Sequence, residues 1–284
     1  MVIANAPCSW GITYPTGNSY SWQQYLDEVA AAGYRGTELG PFGFLPKDPS
    51  LLNDELARRD LTMVGATHVH TFGDTASAPV LMQTLRELSA LLVSLGAKHL
   101  VIMDESGWYR AGREGVLDDA GWAGLTQMVR DAQALVEGDY GLKLSFHPHI
   151  GTAVERESQI DLLLAETDID LCFDTGHHAF WNQDPLSYMA RVFPRIAYLH
   201  LKNVDGAVRQ RVLDGQLSIA ASYGAGVMCP LPDGVVDIRA VMRLLAKRGF
   251  AGPIVVEQDV ASDAAETPLQ LATRNLTYVN AIAG

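Results

Sequence analysis

Seven of the eight histidines of this 284-residue chain, His68, His70, His147, His149, His177, His178 and His200, fall at or just beyond the end of a short apolar run. Only His99 stands at the start of one. Carboxylates occupy the same kind of place, among them Glu38, Asp174 and Glu257. Neutral imidazoles and carboxylate oxygens converging from several elements are what a divalent metal ion requires. Lys202, two residues beyond His200, shares its side of an extended segment and adds a group able to give or take a proton. The residue types point to metal-assisted acid–base chemistry. For any one of them the plainer reading is a hydrogen-bonded polar residue or salt bridge at a strand end.

The elements that must position these residues follow from hydrophobic patterning. Apolar, β-branched runs suited to strands cover 2–9, 36–40, 61–68, 99–104, 142–147, 169–174, 196–202 and 252–258. Segments of helical spacing lie between them. Ser21 with Gln24 three residues later forms a capping box for a helix that Gly33 ends. Leu81, Leu85, Leu88, Leu92 and Leu95 make one stripe, stopped by Gly96, and Trp122, Leu125, Val129, Ala132 and Val136 make another. Asp237 reads as the N-cap of a helix stopped by Gly249, and a last helix runs near 265–282. Eight strands alternating with eight helices predict an α/β fold, a single (β/α)8 TIM barrel over 1–284, with a long loop at about 204–236. The alternative is a doubly wound open sheet, but no Gly-x-Gly-x-x-Gly follows the first strand.

Barrel enzymes work at the C-terminal ends of their strands. Those ends carry Glu38 on strand two, His68 and His70 on three, Asp104 and Glu105 on four, and His147 and His149 on five. Strand six ends in Asp174 with His177 just beyond, seven in His200 and Lys202, and eight in Glu257 and Asp259. Asp174, His200 and Glu257 close three successive strands and form a candidate metal site, with His147 as its fourth ligand. Two carboxylates and two neutral imidazoles balance a divalent charge, and nitrogen donors favour cobalt, iron or zinc over magnesium.

Phe-Asp-Thr-Gly-His (173–177), Leu-His-Leu-Lys (199–202), Leu-Pro-Asp-Gly-Val-Val-Asp (231–237) and Val-Val-Glu-Gln-Asp (255–259) resemble the xylose-isomerase-like barrel superfamily. His-Pro-His-Ile-Gly-Thr-Ala-Val-Glu (147–155) resembles inosose dehydratases and related keto-sugar lyases, and Gly33–Gly40 with Glu38 is similar to the second-strand motif of that family. The resemblance implies a divalent metal, often Mn2+ or Co2+, on His147, Asp174, His200 and Glu257. Sugar isomerases and epimerases of the superfamily carry Glu where this chain has His147, so His147 is either a ligand or a substrate contact. Without that glutamate a proton shuttle between paired carboxylates is disfavoured. The expected reaction is therefore β-elimination from a keto-cyclitol or keto-sugar, with a divalent-metal-dependent sugar isomerase or epimerase as the alternative.

The candidate roles follow from that chemistry. Lys202 is acid or base, and His149, which shares a face with His147, transfers protons or binds the sugar. His177 orients a ligand or contacts substrate. Glu155 contacts substrate or caps the next helix. The resemblance gives Glu38 a substrate contact, against a local salt bridge to Arg35. Of His68 and His70, one is expected to face the pocket and the other to lie in the loop. Trp10 and Trp108 offer aromatic faces to a sugar ring, against the plainer reading of packing. Asp205, Arg209, Arg211, Tyr223 and Cys229 lie in the long connection.

Composition excludes other classes. A net charge of −12 opposes nucleic-acid and anionic-membrane binding. An endonuclease-IV-type barrel shares the Asp-x-x-His of Asp174 and His177 but needs an Asp-x-His after strand seven, and 204–214 contains no histidine. Cys8, Cys172 and Cys229 are too few and scattered for a disulfide framework. With no signal-peptide pattern and no apolar run of about 20 residues, the expectation is a cytoplasmic protein with a small polyol or keto-sugar substrate. A homo-oligomer is compatible with the sequence. A sugar-binding barrel without metal is the non-enzymatic alternative.

Overall fold

The computed structural model describes residues 2–106, 117–261 and 264–283. Eight strands form the barrel: β1 (Ile3–Asn5), β2 (Gly36–Glu38), β3 (Thr62–His70), β4 (His99–Asp104), β5 (Lys143–Phe146), β6 (Asp170–Asp174), β7 (Ile196–Leu201) and β8 (Ile254–Val256). Each pairs in parallel with its neighbours, and β1 closes the circle against β8, with Ala4 opposite Val255. The expected closed barrel is what forms. Ala4, Val64, Val101, Cys172, Tyr198 and Val255, one from each of six strands, pack as a buried cluster separate from the larger core around them.

Local signals account for most element ends. The Ser21 hydroxyl accepts from the Gln24 amide while the Gln24 side chain accepts from the Ser21 amide, so the capping box is complete. Asp237 accepts from the Ala240 amide, and Gly249 ends that helix at φ 67. The leucine stripe is buried at Leu81, Leu85, Leu88 and Leu92. β1 is shorter than the expected 2–9 because Pro7 starts a 3-10 turn, Pro7–Trp10, which a left-handed Gly11 closes.

The connection after β7 is more structured than the expected loop. Asn203–Val204 pairs antiparallel with Met228–Cys229, and the helices Gly206–Leu213 and Ile219–Gly224 lie between them. The buried Asn203 amide donates to the Leu231 and Val236 carbonyls and accepts from the Val236 amide, which pins the whole excursion to the barrel rim. Among the described residues no helix is long and apolar enough to cross a membrane.

Candidate active site

Asp174 ends β6 and caps the helix Thr175–Phe180. One carboxylate oxygen, Oδ1, accepts from the amides of Gly176 (2.7 Å) and His177 (2.8 Å). That fixes the carboxyl plane and leaves Oδ2 buried with no hydrogen-bond partner among the described residues. Burial pushes the Asp174 carboxyl up to about 6, with Lys202 working against the rise and Glu257 adding to it. Gly176 is needed here for space, since a Cβ would stand 2.8 Å from Cγ of Lys202. The Asp-Thr-Gly-His turn can therefore lie flat against the lysine.

His200 ends β7 opposite Asp174 and Val255 in the register of the sheet. Its Nε2 lies 3.0 Å from Oε1 of Glu38, while Nδ1 is 3.5 Å from Glu257 and 3.9 Å from Asp174. Burial opposes charge on the ring, yet Cys172, Glu257 and Glu38 together hold its pKa well above the usual imidazole range. Lys202 stands one layer outward. Its Nζ is 3.0 Å from Glu257, 3.0 Å from Asp259, 3.2 Å from Nε2 of His177 and 3.7 Å from Asp174. Burial works against this ammonium too, and the three carboxylates, Asp259 first, outweigh it and keep it charged.

A second group of rings completes the floor. His147 lies 4.8 Å from His200, 5.4 Å from His177 and 5.5 Å from His149 between centroids, and His149 lies 3.9 Å from His177. Burial first, and the neighbouring cationic groups second, hold His147 and His177 well below the usual imidazole pKa and bring His149 down to about 3. All three are neutral imidazoles at ordinary pH.

The donor set fits a divalent cation. Nδ1 of His147, Oδ2 of Asp174 and Nδ1 of His200 are buried without a hydrogen-bond partner among the described residues, a costly state that a cation relieves. Glu38, His200 and Glu257 form one group whose donor atoms all lie within 4.8 Å of one another, and His147, Cys172 and His200 form another. Asp174 belongs to neither group, and Glu38, which was not expected as a neighbour of the cation position, belongs to one.

The structure redirects several of the expected site residues. Trp10 is buried, meets Tyr25 edge-on at 5.1 Å and donates to Glu28, so it packs under the rim and presents no face to a sugar. Glu155 ties its loop to the end of the helix Thr175–Phe180, its Oε2 accepting from the Gly151 amide (2.7 Å) and the Trp181 indole (2.8 Å). His68 and His70 stack on each other at 6.1 Å rather than dividing between pocket and loop, and burial takes His68 down to about 4. Arg35 pairs with Asp60, not with Glu38. His178 leaves the rim, packing between Phe173 and Tyr188 with Nε2 3.3 Å from Glu157. Trp108 lies outside the described residues.

One member of the site escaped the sequence reading. The Cys8 thiol lies beside the Glu257 carboxylate, and burial first, with Glu257 and Asp259 adding to it, pushes its pKa well up. The available signal was its place just past the first strand, the same signal used for every other strand.

A closed eight-stranded barrel with buried histidines, carboxylates and a lysine gathered beyond its C-terminal strand ends has the architecture of the sugar isomerases and their relatives. Residues 26–277 match the family described as xylose isomerase-like TIM barrel, and the chain belongs to it. An inosose dehydratase of Serratia proteamaculans (strain 568) is 28% identical, covering 99% of this chain and 97% of its own length. A rhizopine catabolism protein, MocC, of Rhizobium meliloti is 31% identical over 94% of this chain and 84% of its own. Among solved structures, the probable 3-DHS dehydratase AsbF of Bacillus anthracis superposes with a TM-score of 0.76 at 14% identity, covering 99% of each chain. The IOLI protein with a bound zinc atom gives 0.76 at 12% identity, covering 100% of this chain and 98% of its own. At these identities the structures speak for the fold.

Proposed function

We propose that the protein is a metal-dependent carbon–oxygen lyase that removes water by β-elimination from a keto-cyclitol of the 2-keto-myo-inositol type. The observation that supports this reading is that His200 Nδ1 lies 3.5 Å from Glu257 and 3.9 Å from Asp174, with the His147 ring 4.8 Å from the His200 ring and Lys202 3.0 and 3.7 Å from the two carboxylates. Full-length similarity to inosose dehydratases supports the substrate class. His147, Asp174, His200 and Glu257 are the residues that would hold the ion, Mn2+ or Co2+ by preference, with Fe2+ and Zn2+ also suited to the donors. When bound, such an ion supplies Lewis-acid polarisation of the substrate ketone.

The chain's own groups divide the proton work. A neutral imidazole of His149 or His177 takes the proton from the carbon next to the ketone. The electron pair left behind forms the carbon–carbon double bond as the β-hydroxyl departs. Lys202, held as an ammonium, gives that hydroxyl its proton, and water leaves. His177, whose Nε2 is 3.2 Å from Nζ, can pass the abstracted proton back to the amine and close the proton cycle.

Metal-depleted protein is expected to be inert toward 2-keto-myo-inositol and to recover activity on adding Mn2+ or Co2+. Full activity in a metal-free preparation contradicts the proposal. A metal-dependent isomeric product without loss of water moves the site to the isomerase or epimerase reading.

A further inference from the structure

Glu38 was expected to touch substrate, and its surroundings give it a different task. The side chain is 2% exposed, and both of its carboxylate oxygens are engaged. Oε1 is 3.0 Å from Nε2 of His200, and Oε2 accepts from the Thr67 hydroxyl at 3.1 Å. The pairing of β2 with β3 shifts register between Thr37 and Glu38, and such a shift re-aims a side chain. Thr37, on the preceding turn of the pleat, is itself held by the Tyr25 hydroxyl at 2.7 Å. Glu38 therefore stands in a fixed frame before anything binds.

We infer that Glu38 is the positioning residue of His200: its carboxylate accepts the Nε2–H, fixes the ring in that tautomer, and turns the Nδ1 lone pair toward Asp174 and Glu257. This rests on the metal-site reading proposed above. An imidazole has two nitrogens, and a carboxylate on one decides which lone pair the other presents and raises its basicity as a ligand. The geometry has that form, since Nδ1 is the nitrogen without a hydrogen-bond partner among the described residues and lies 3.5 Å from Glu257. At 2% exposure, and with His200 and Thr67 on its two oxygens, Glu38 is set behind the His200 ring.

The test uses the full chain, depleted of metal, with Glu38→Leu and Glu38→Gln beside wild type. Zn2+ affinity is measured by competition with a chromophoric chelator, circular dichroism checks folding, and KM is measured separately. Glu38→Leu is expected to keep the stoichiometry and weaken Zn2+ binding roughly 10- to 100-fold, the range seen when such outer partners are removed. Glu38→Gln, whose amide oxygen still accepts from Nε2–H, is expected to lose less. Unchanged Zn2+ affinity in both variants, with the effect confined to KM, overturns the inference and returns Glu38 to the substrate. If wild type binds no Zn2+, the metal-site reading fails by itself. The positioning claim is then decided by 15N NMR of His200 at a pH where the ring is neutral. Protonated Nε2 in wild type, lost in Glu38→Leu, upholds it, and protonated Nδ1 in wild type overturns it.

Discussion

The Lys202 ammonium lies 3.2 Å from Nε2 of His177, so an acid and a neutral base touch at the centre of the rim. Two groups that would ordinarily titrate apart are held in opposite states, the lysine charged by Asp259, Glu257 and Asp174, and the histidine neutral by burial among other rings. Pairs pushed apart in this way divide acid and base duties.

Lys202→Met removes the proton donor while keeping the length of the side chain. We expect kcat to fall by roughly 10²- to 10⁴-fold, with bound metal retained. Loss of metal together with activity would make Lys202 structural instead, and elemental analysis alongside the rate distinguishes the two.

Asp174 serves two purposes through two oxygens, so two variants separate them. Asp174→Asn keeps an Oδ1 that can accept from the Gly176 and His177 amides, and is expected to lose metal with little loss of stability. Asp174→Ala loses the cap as well, at a further cost of about 1 kcal/mol. Denaturant midpoints and metal content are the measurements.

His147→Glu exchanges a nitrogen donor for an oxygen donor at a proposed metal ligand. The variant is expected to bind metal still, with its affinity for Zn2+ and Co2+ lowered relative to that for Mn2+ and Mg2+. Equal preferences in the two proteins would put His147 outside the coordination sphere.

His178 supplies a pH dependence unrelated to catalysis. Its pKa is lowered from 6.5 to about 4, chiefly by burial, while Asp184 opposes and Arg191 adds to the shift. The unfolded chain therefore binds this proton more tightly than the folded one. The associated stability is present above pH 6.5 and is lost as pH falls from there toward 4, by about 3 kcal/mol at most. Urea midpoints measured across that window are expected to fall more steeply in wild type than in His178→Phe.

How much of this was legible beforehand depended on the physical range of each signal. The alternation of strands and helices is written in local periodicity, and the barrel rule then nominated the rim, which is why Asp174, His200, Lys202 and Glu257 could be named together. Which way a nominated residue turns depends on contacts distant in sequence. His177 and His178 are adjacent, yet one faces the site and the other packs on Tyr188 of the next helix. Trp10 is claimed by Glu28 and Glu155 by Trp181, partners that no local pattern announces. The register shift that turns Glu38 toward His200 leaves no mark in hydropathy.

The most direct test is to incubate metal-loaded protein with 2-keto-myo-inositol in D2O and follow the products by NMR. Loss of water with formation of an unsaturated or rearranged diketone, abolished in Lys202→Met and Asp174→Asn, is the expected result. Deuterium exchange into an isomeric keto-cyclitol that retains every oxygen would contradict it.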